Sequence, residues 1–343
     1  RESVNNLTAT NGGTIRIYAI FSRTINVYSG TNKGTNNSQT QYYNPYATTQ
    51  VTAITLASPA AVSNWTALGY RTDTTANTST QAAGSVTPAY NVTPTYYAVY
   101  SRSYTAHFYS GVNKATDTTK ASSTAYYNTN TASVPTTVSI TTDTAANSTD
   151  ISNWTETGWR ADTNAQARAY GYNASATVTF GTNFYSIYTR TLTISYNGNG
   201  STSGSTTATR AAIYLNANST TTSSQAVTLA SNGFAKTGNT FSKWAARSTS
   251  GTQYAAGASY TAGVAYNAST FGTTMYAIWT ANTYTVEYYQ GTTKLTSSSH
   301  TYGTAKALTA YGGTAPSGWT FYGWSANNGT SATTITYNNQ QSV

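Results

Sequence analysis

Hydrophobic and polar residues alternate along four short stretches of this chain, at residues 24–30, 104–111, 192–198 and 284–291. Apolar side chains recur at every second position: Ile25 and Val27, Ala106 and Phe108, Leu192 and Ile194, Tyr284 and Val286. Between them stand Asn26, His107, Ser195 and Glu287. A two-residue period puts one set on a buried face and the other towards water, so each stretch predicts a half-buried β-strand running into a turn. Polar, variable segments follow, for example 31–40 and 199–209, then second-strand candidates at 50–56 and 136–142. Residues 58–62 (Ser-Pro-Ala-Ala-Val) predict a short helix or turn, with Ser58 as N-cap and Pro59 at the first helical position. No segment carries a long helical period. The pattern predicts a mainly β protein, or α+β by class if such short helices count.

The same pattern is written several times. Ser63-Asn-Trp-Thr-Ala-Leu-Gly-Tyr-Arg71 returns as Ser152-Asn-Trp-Thr-Glu-Thr-Gly-Trp-Arg160, as Thr237-Gly-Asn-Thr-Phe-Ser-Lys-Trp-Ala245 and as Ser317-Gly-Trp-Thr-Phe-Tyr-Gly-Trp-Ser325. Their last aromatics, Tyr70, Trp159, Trp244 and Trp324, are 89, 85 and 80 residues apart. A second marker keeps step: Tyr18-Ala-Ile-Phe-Ser-Arg, Tyr97-Ala-Val-Tyr-Ser-Arg, Tyr185-Ser-Ile-Tyr-Thr-Arg and Tyr276-Ala-Ile-Trp-Thr-Ala, spaced 79, 88 and 91. Two unrelated markers sharing one period predict a tandem array of small domains of about 80–90 residues. The expected units are 23–101, 102–189 and 190–281, following one another without a linker. Residues 1–22 hold only a closing strand, and 282–343 hold everything but one. The two end pieces together amount to one unit.

Residues 284–289 (Tyr-Thr-Val-Glu-Tyr-Tyr), Tyr302-Gly303 and 318–324 (Gly-Trp-Thr-Phe-Tyr-Gly-Trp) resemble the Listeria–Bacteroides repeat, the internalin B-repeat type of bacterial surface proteins. Residues 238–244 and Met275-Tyr-Ala-Ile-Trp279 match its second half, whereas Tyr70, Leu68 and Thr157 depart from it. The resemblance implies a compact β-grasp-like domain found in multiples in secreted, cell-surface proteins, and it carries over no catalytic residue and no cofactor.

Composition sharpens this picture. Charged residues make up only 7%, against roughly 25% in an average soluble domain. Polarity comes instead from 73 Thr and 39 Ser, and 31 Tyr add amphipathic area. Threonine and tyrosine both suit a pleated surface. No apolar run approaches the roughly 18 residues that a membrane-spanning helix needs. The net charge of +9 is spread thinly, without the dense Lys/Arg cluster that nucleic acid demands, although an acidic wall polymer would be attracted. With no Cys there is neither a disulfide scaffold nor a thiolate metal site.

Catalytic constellations are equally thin. Eight carboxylates include no pair repeated in every unit, and only Asp73 and Asp162 match, each near an arginine (Arg71, Arg160) as a loop-closing pair. His107 on an outward strand face and His300 in a loop lack a neighbouring acid in sequence. The seven lysines show no common register, which argues against isopeptide staples. The expectation is no enzyme, no metal and no cofactor.

Two residue sets remain. The motif aromatics Trp65, Tyr70, Trp154, Trp159, Phe241, Trp244, Trp319, Phe321 and Trp324 are candidates for unit cores or unit–unit junctions, with glycan stacking as the rival role. A five-residue offset in extended chain sends the two aromatics of one motif to opposite faces. The apolar run Ile15, Ile17, Tyr18, Ile20 and Phe21 is expected to act as an assembly strand. It would complete the unfinished unit 282–343 of another molecule, giving head-to-tail filaments of an extracellular structural protein; the competing explanation is a stretch of a longer array, with the missing halves in the same polypeptide.

Overall fold

A computed structural model describes residues 4–119, 123–145, 151–326 and 336–342. Among these the regular structure is strand, with one three-residue 3₁₀ turn at Thr31–Lys33 and no α-helix. Of the short helix or turn expected at 58–62, no helix forms, and a turn begins at its last residue, the Trp65 amide donating to the Val62 carbonyl at 3.0 Å. The Tyr70 hydroxyl donates to the Ala57 carbonyl at 2.7 Å, and Tyr100 donates to Ala60 at 2.8 Å. Core tyrosines thus anchor the carbonyls of Ala57 and Ala60, and the segment runs as irregular chain.

One strand arrangement recurs three times. An opening strand lies parallel to a closing strand, and the motif strand pairs antiparallel with the same closing strand. In the first case Phe21–Ser29 is the opening strand, Thr95–Tyr104 the closing strand and Thr66–Arg71 the motif strand; Val27 sits beside Tyr96 and Tyr70 beside Ala98. In the second, His107–Ser110 and Thr155–Arg160 flank Phe184–Asn197, with Phe108 beside Phe184 and Trp159 beside Ser186. In the third, Phe184–Asn197 and Asn239–Ala246 flank Gly272–Ala281, with Tyr196 beside Met275 and Trp244 beside Ala277.

A small two-stranded sheet covers each arrangement: Ile54–Leu56 with Gly84–Val86, Thr137–Thr141 with Ser175–Thr179, and Ala226–Thr228 with Ser259–Thr261. Alternation along these strands turns Ile54 and Leu56, Val138 and Ile140, and Val227 inward. Three apolar cores result, centred on Tyr70 with Tyr100, Phe108 with Trp159, and Leu192 with Trp244.

Phe184–Asn197 finishes the second unit and begins the third without a break, whereas Thr105 and Ala106 separate Thr95–Tyr104 from the second opening strand, and Thr95–Tyr104 itself runs past Ser101 to Tyr104. The boundaries expected at 101–102 and 189–190 therefore fall in mid-strand. Residues 14–20, expected as a closing strand, carry no strand pairing, and strand begins only at Phe21. Within the described residues they have no partner edge. His300 is not in a loop: it lies in strand Thr293–Thr301, buried, stacked on Tyr284 at 5.6 Å.

Candidate functional site

The motif's geometry follows from its sequence. Its second position is left-handed in every copy, at Asn64 (φ 63°), Asn153 (64°), Gly238 (66°) and Gly318 (81°), where asparagine and glycine are the residues that tolerate such a turn. Five residues beyond, Gly69 and Gly158 sit at a β-bulge with φ of 126° and 140°. A Cβ on Gly158 would meet the Tyr170 carbonyl oxygen at 2.4 Å, so glycine is required there.

These two devices aim the aromatics differently. The second ones, Tyr70, Trp159 and Trp244, are fully buried in the cores. Each spends its polar atom on a carbonyl of its own unit: Tyr70 on Ala57, Trp159 Nε1 on Asp143 at 3.0 Å, Trp244 Nε1 on Ala230 at 2.9 Å. Burial pushes the Tyr70 hydroxyl up to about 12, keeping it a neutral donor. The first ones meet residues of the next unit, Trp65 while still packed on its own core and Trp154 from within the third unit's core. Trp65 meets Tyr127 at 6.2 Å and Phe180 at 5.9 Å; Trp154 meets Phe271 at 5.4 Å and donates to the Tyr266 carbonyl at 2.8 Å.

Residues 282–342 repeat the third unit up to a point. Tyr288 lies 4.8 Å from Trp324, as Tyr196 lies 4.7 Å from Trp244. Phe321 is 4.9 Å from Trp324, as Phe241 is 4.8 Å from Trp244. The Thr309 amide donates to the Tyr288 hydroxyl at 3.0 Å, as the Ala230 amide donates to Tyr196 at 2.7 Å. What differs is the closing strand. In the third unit it places Trp279 6.0 Å from Phe241. In 282–342 no described residue occupies that place. A cleft of about 1320 Å³ lies there instead, lined by Tyr284, Tyr288, Tyr311, Phe321 and Trp324 with Trp319 at its rim. Trp319 and Tyr322 are each 75% exposed, and the Trp324 indole N–H is buried without a hydrogen-bond partner.

The chain's other end carries the converse. Ile15, Ile17, Tyr18, Ile20 and Phe21 are all exposed, Ile17 to 77%. Among the described residues, the exposed large apolar side chains fall into two groups, from Val4 to Val92 and from Tyr284 to Tyr322, with none between. Exposed apolar side chains gathered in two groups are the kind of surface that interaction sites present.

One specificity position was missed in the sequence reading, although its signal was in the closing repeat. Opposite each buried motif aromatic the closing strand carries a small, fully buried residue: Ala98 facing Tyr70, Ser186 facing Trp159, Ala277 facing Trp244. The run 14–21 carries Ala19 at the same place after its tyrosine.

Elsewhere the chemistry is structural. Arg71–Asp73 and Arg160–Asp162 are bonded at 2.6 Å and close their loops through Thr78 O at 2.8 Å and Ala167 O at 2.7 Å. The arginine hydrogen bonds hold both carboxyls below the usual range. His107 does have an acid: Asp117 reaches its Nδ1 at 3.0 Å across the adjoining strand, a neighbour that pairing register supplies and chain order hides. Lys33 and Lys114 do share a register, in matching turns with φ of 59° and 58° and over Tyr28 and Tyr109. Glu2, Lys120 and Asp150 lie outside the described residues. Among the described residues no group of three His, Cys, Asp or Glu is placed to hold a metal, and no helix is long and apolar enough to cross a membrane.

No protein-family model, no curated protein and no solved structure matches this chain.

Proposed function

We propose that the chain is a non-enzymatic structural protein of the bacterial cell surface, a subunit or segment of a fibre or adhesin stalk built from β-grasp-like repeats of the Listeria–Bacteroides type. Molecules join head to tail, residues 14–21 of one closing the cleft of the next. The observation that carries this reading is that one chain exposes both a run with the closing-strand pattern, unpaired up to Ile20, and an aromatic cleft in which no described closing strand lies.

Transposing the third unit's register gives the contacts. Tyr196–Met275 pairing becomes Tyr288 beside Ile17, and Asn197–Tyr276 becomes Tyr289 beside Tyr18. Trp244–Ala277 becomes Trp324 facing Ala19, and Phe241–Trp279 becomes Phe321 beside Phe21. Ser195–Thr274 becomes Glu287 beside Arg16, opposite charges meeting across the pair. Adding a strand to an open edge is a common recognition mode, with main-chain bonds for affinity and alternate side chains for specificity.

Size-exclusion chromatography with light scattering tests this. The full chain forms concentration-dependent oligomers, deletion of residues 1–20 leaves monomers, and Ala19→Phe does the same by colliding with Trp324, its thermal unfolding unchanged because Ala19 belongs to no core. A full chain that stays monomeric, or a truncated one that still assembles, overturns the reading; a cleft closed from within its own polypeptide gives the first result.

The exposure of Trp319 and Tyr322 favours a second reading, an adhesin module stacking glycans or a wall polymer on these rings. Saturable, salt-insensitive glycan binding lost in Trp319→Ala with the fold intact supports it.

A further inference from the structure

The strand accounts for the cleft but not for Trp319, which stands at its rim rather than inside it. Trp65 and Trp154 occupy the same place in their motifs, five residues before the buried aromatic. Both meet residues of the next unit: Trp65, still packed on its own unit's core, touches Tyr127, which inserts there, and Phe180, while Trp154 sits in the third unit's core on Phe271. Tyr127 belongs to the next unit's second strand, where it pairs with Tyr100 of the closing strand. Phe180 and Phe271 come from the loops that lead into the closing strands, beneath Arg102 at 4.0 Å and Arg190 at 4.4 Å.

The first unit holds the counterparts of these partners, with no tryptophan against them among the described residues. Tyr43 pairs with Phe21 as Tyr127 pairs with Tyr100. Tyr90, in the loop leading to the first closing strand, stacks on Tyr43 at 5.2 Å and is exposed. Arg23, in the register of Arg102 and Arg190, donates to the Tyr90 carbonyl at 2.9 Å and to Gln41 Oε1 at 2.9 Å, fixing the loop. Phe21, Arg23, Gln41, Tyr43 and Tyr90 surround a small open hollow.

We infer that Trp319 of one molecule docks in the hollow formed by Phe21, Tyr43 and Tyr90 of the next, making a second contact alongside strand insertion. This rests on the head-to-tail reading, and its occupant is a second copy of this chain. The geometry agrees, because Phe21 belongs both to the inserted run and to the wall of the hollow. A strand seated in the cleft therefore carries the hollow towards the rim where Trp319 stands. The internal junctions supply the template: a flat indole set edge-on to aromatic rings, a geometry favoured by ring quadrupoles. The tryptophan thus fixes the angle between successive molecules, as Trp65 and Trp154 fix it between successive units.

Two measurements separate this inference from the reading beneath it. A synthetic peptide of residues 11–24, titrated into the chain lacking residues 1–20, reports strand insertion alone, since it brings neither Tyr43 nor Tyr90. It binds wild-type and Trp319→Ala acceptors equally. Self-association of the full chain by sedimentation reports both contacts. There Trp319→Ala and Tyr90→Ala each weaken assembly about 10- to 100-fold, as truncating a buried aromatic anchor does, and the double variant is little worse than either. If the peptide binds while Trp319→Ala assembles like wild type, or if the two losses simply add, the hollow is not the tryptophan's site and strand insertion stands alone. If the peptide does not bind, both fall.

Discussion

The third unit and the region after it set nearly the same aromatic cluster in two situations, with a closing strand and without one. The tyrosine–tryptophan and phenylalanine–tryptophan separations agree within about 0.1 Å between them. Trp244 is nevertheless fully buried with its N–H bonded, while Trp324 is only half-buried and its N–H unpaired. Phe241 faces the edge of Trp279, whereas Phe321 lies flat on Tyr311 at 4.4 Å. The cluster thus assembles from the opening and motif segments alone. The closing strand does not build it but seals it, which is why a strand from elsewhere is able to do so.

Experiments that strain this contrast are ordered by the size of their effect. Trp244→Ala empties a sealed core and loses about 3–5 kcal/mol of folding free energy in denaturant titration. Trp324→Ala, in the unsealed copy, loses well under half of that while assembly disappears; equal losses would mean the terminal cleft is already closed. Gly158→Ala forces a left-handed bulge residue against Tyr170 and costs about 1–3 kcal/mol, whereas Gly291→Ala, left-handed too but with open space around it, is milder. Acidification gives the smallest change. Asp73 and Asp162 have folded-state values below the ordinary carboxylate range, so the stability they supply is present above that range and fades as pH drops through their lowered values. Asp162→Asn should flatten part of this acid limb of the unfolding curve; an unchanged limb would assign it to other groups.

Much of the fold was written in the sequence because its cause is local. The alternation at Ile25 and Val27 or Ala106 and Phe108 is the strand's own period, and the step from Tyr70 to Trp159 to Trp244 exposes the copying. The split roles of Trp154 and Trp159 followed from their offset. What stayed hidden depends on partners far along the chain. The segment 58–62 has local helix signals, yet tyrosines 13 and 40 residues from their acceptors bond the Ala57 carbonyl just before it and the Ala60 carbonyl within it. His107 meets Asp117 only once two strands take their register. The fusion of closing and opening strands into one 14-residue strand is likewise a matter of which edges are available, not of composition.

The parallel pairing of opening and closing strands decides how the three units bear load. Tension applied along the chain enters each unit at the start of its opening strand and leaves at the end of its closing strand. The two lie side by side and point the same way, so pulling slides one along the other. Their cross-links must then rupture together instead of unzipping singly, and every unit resists stretching in its stiffest direction.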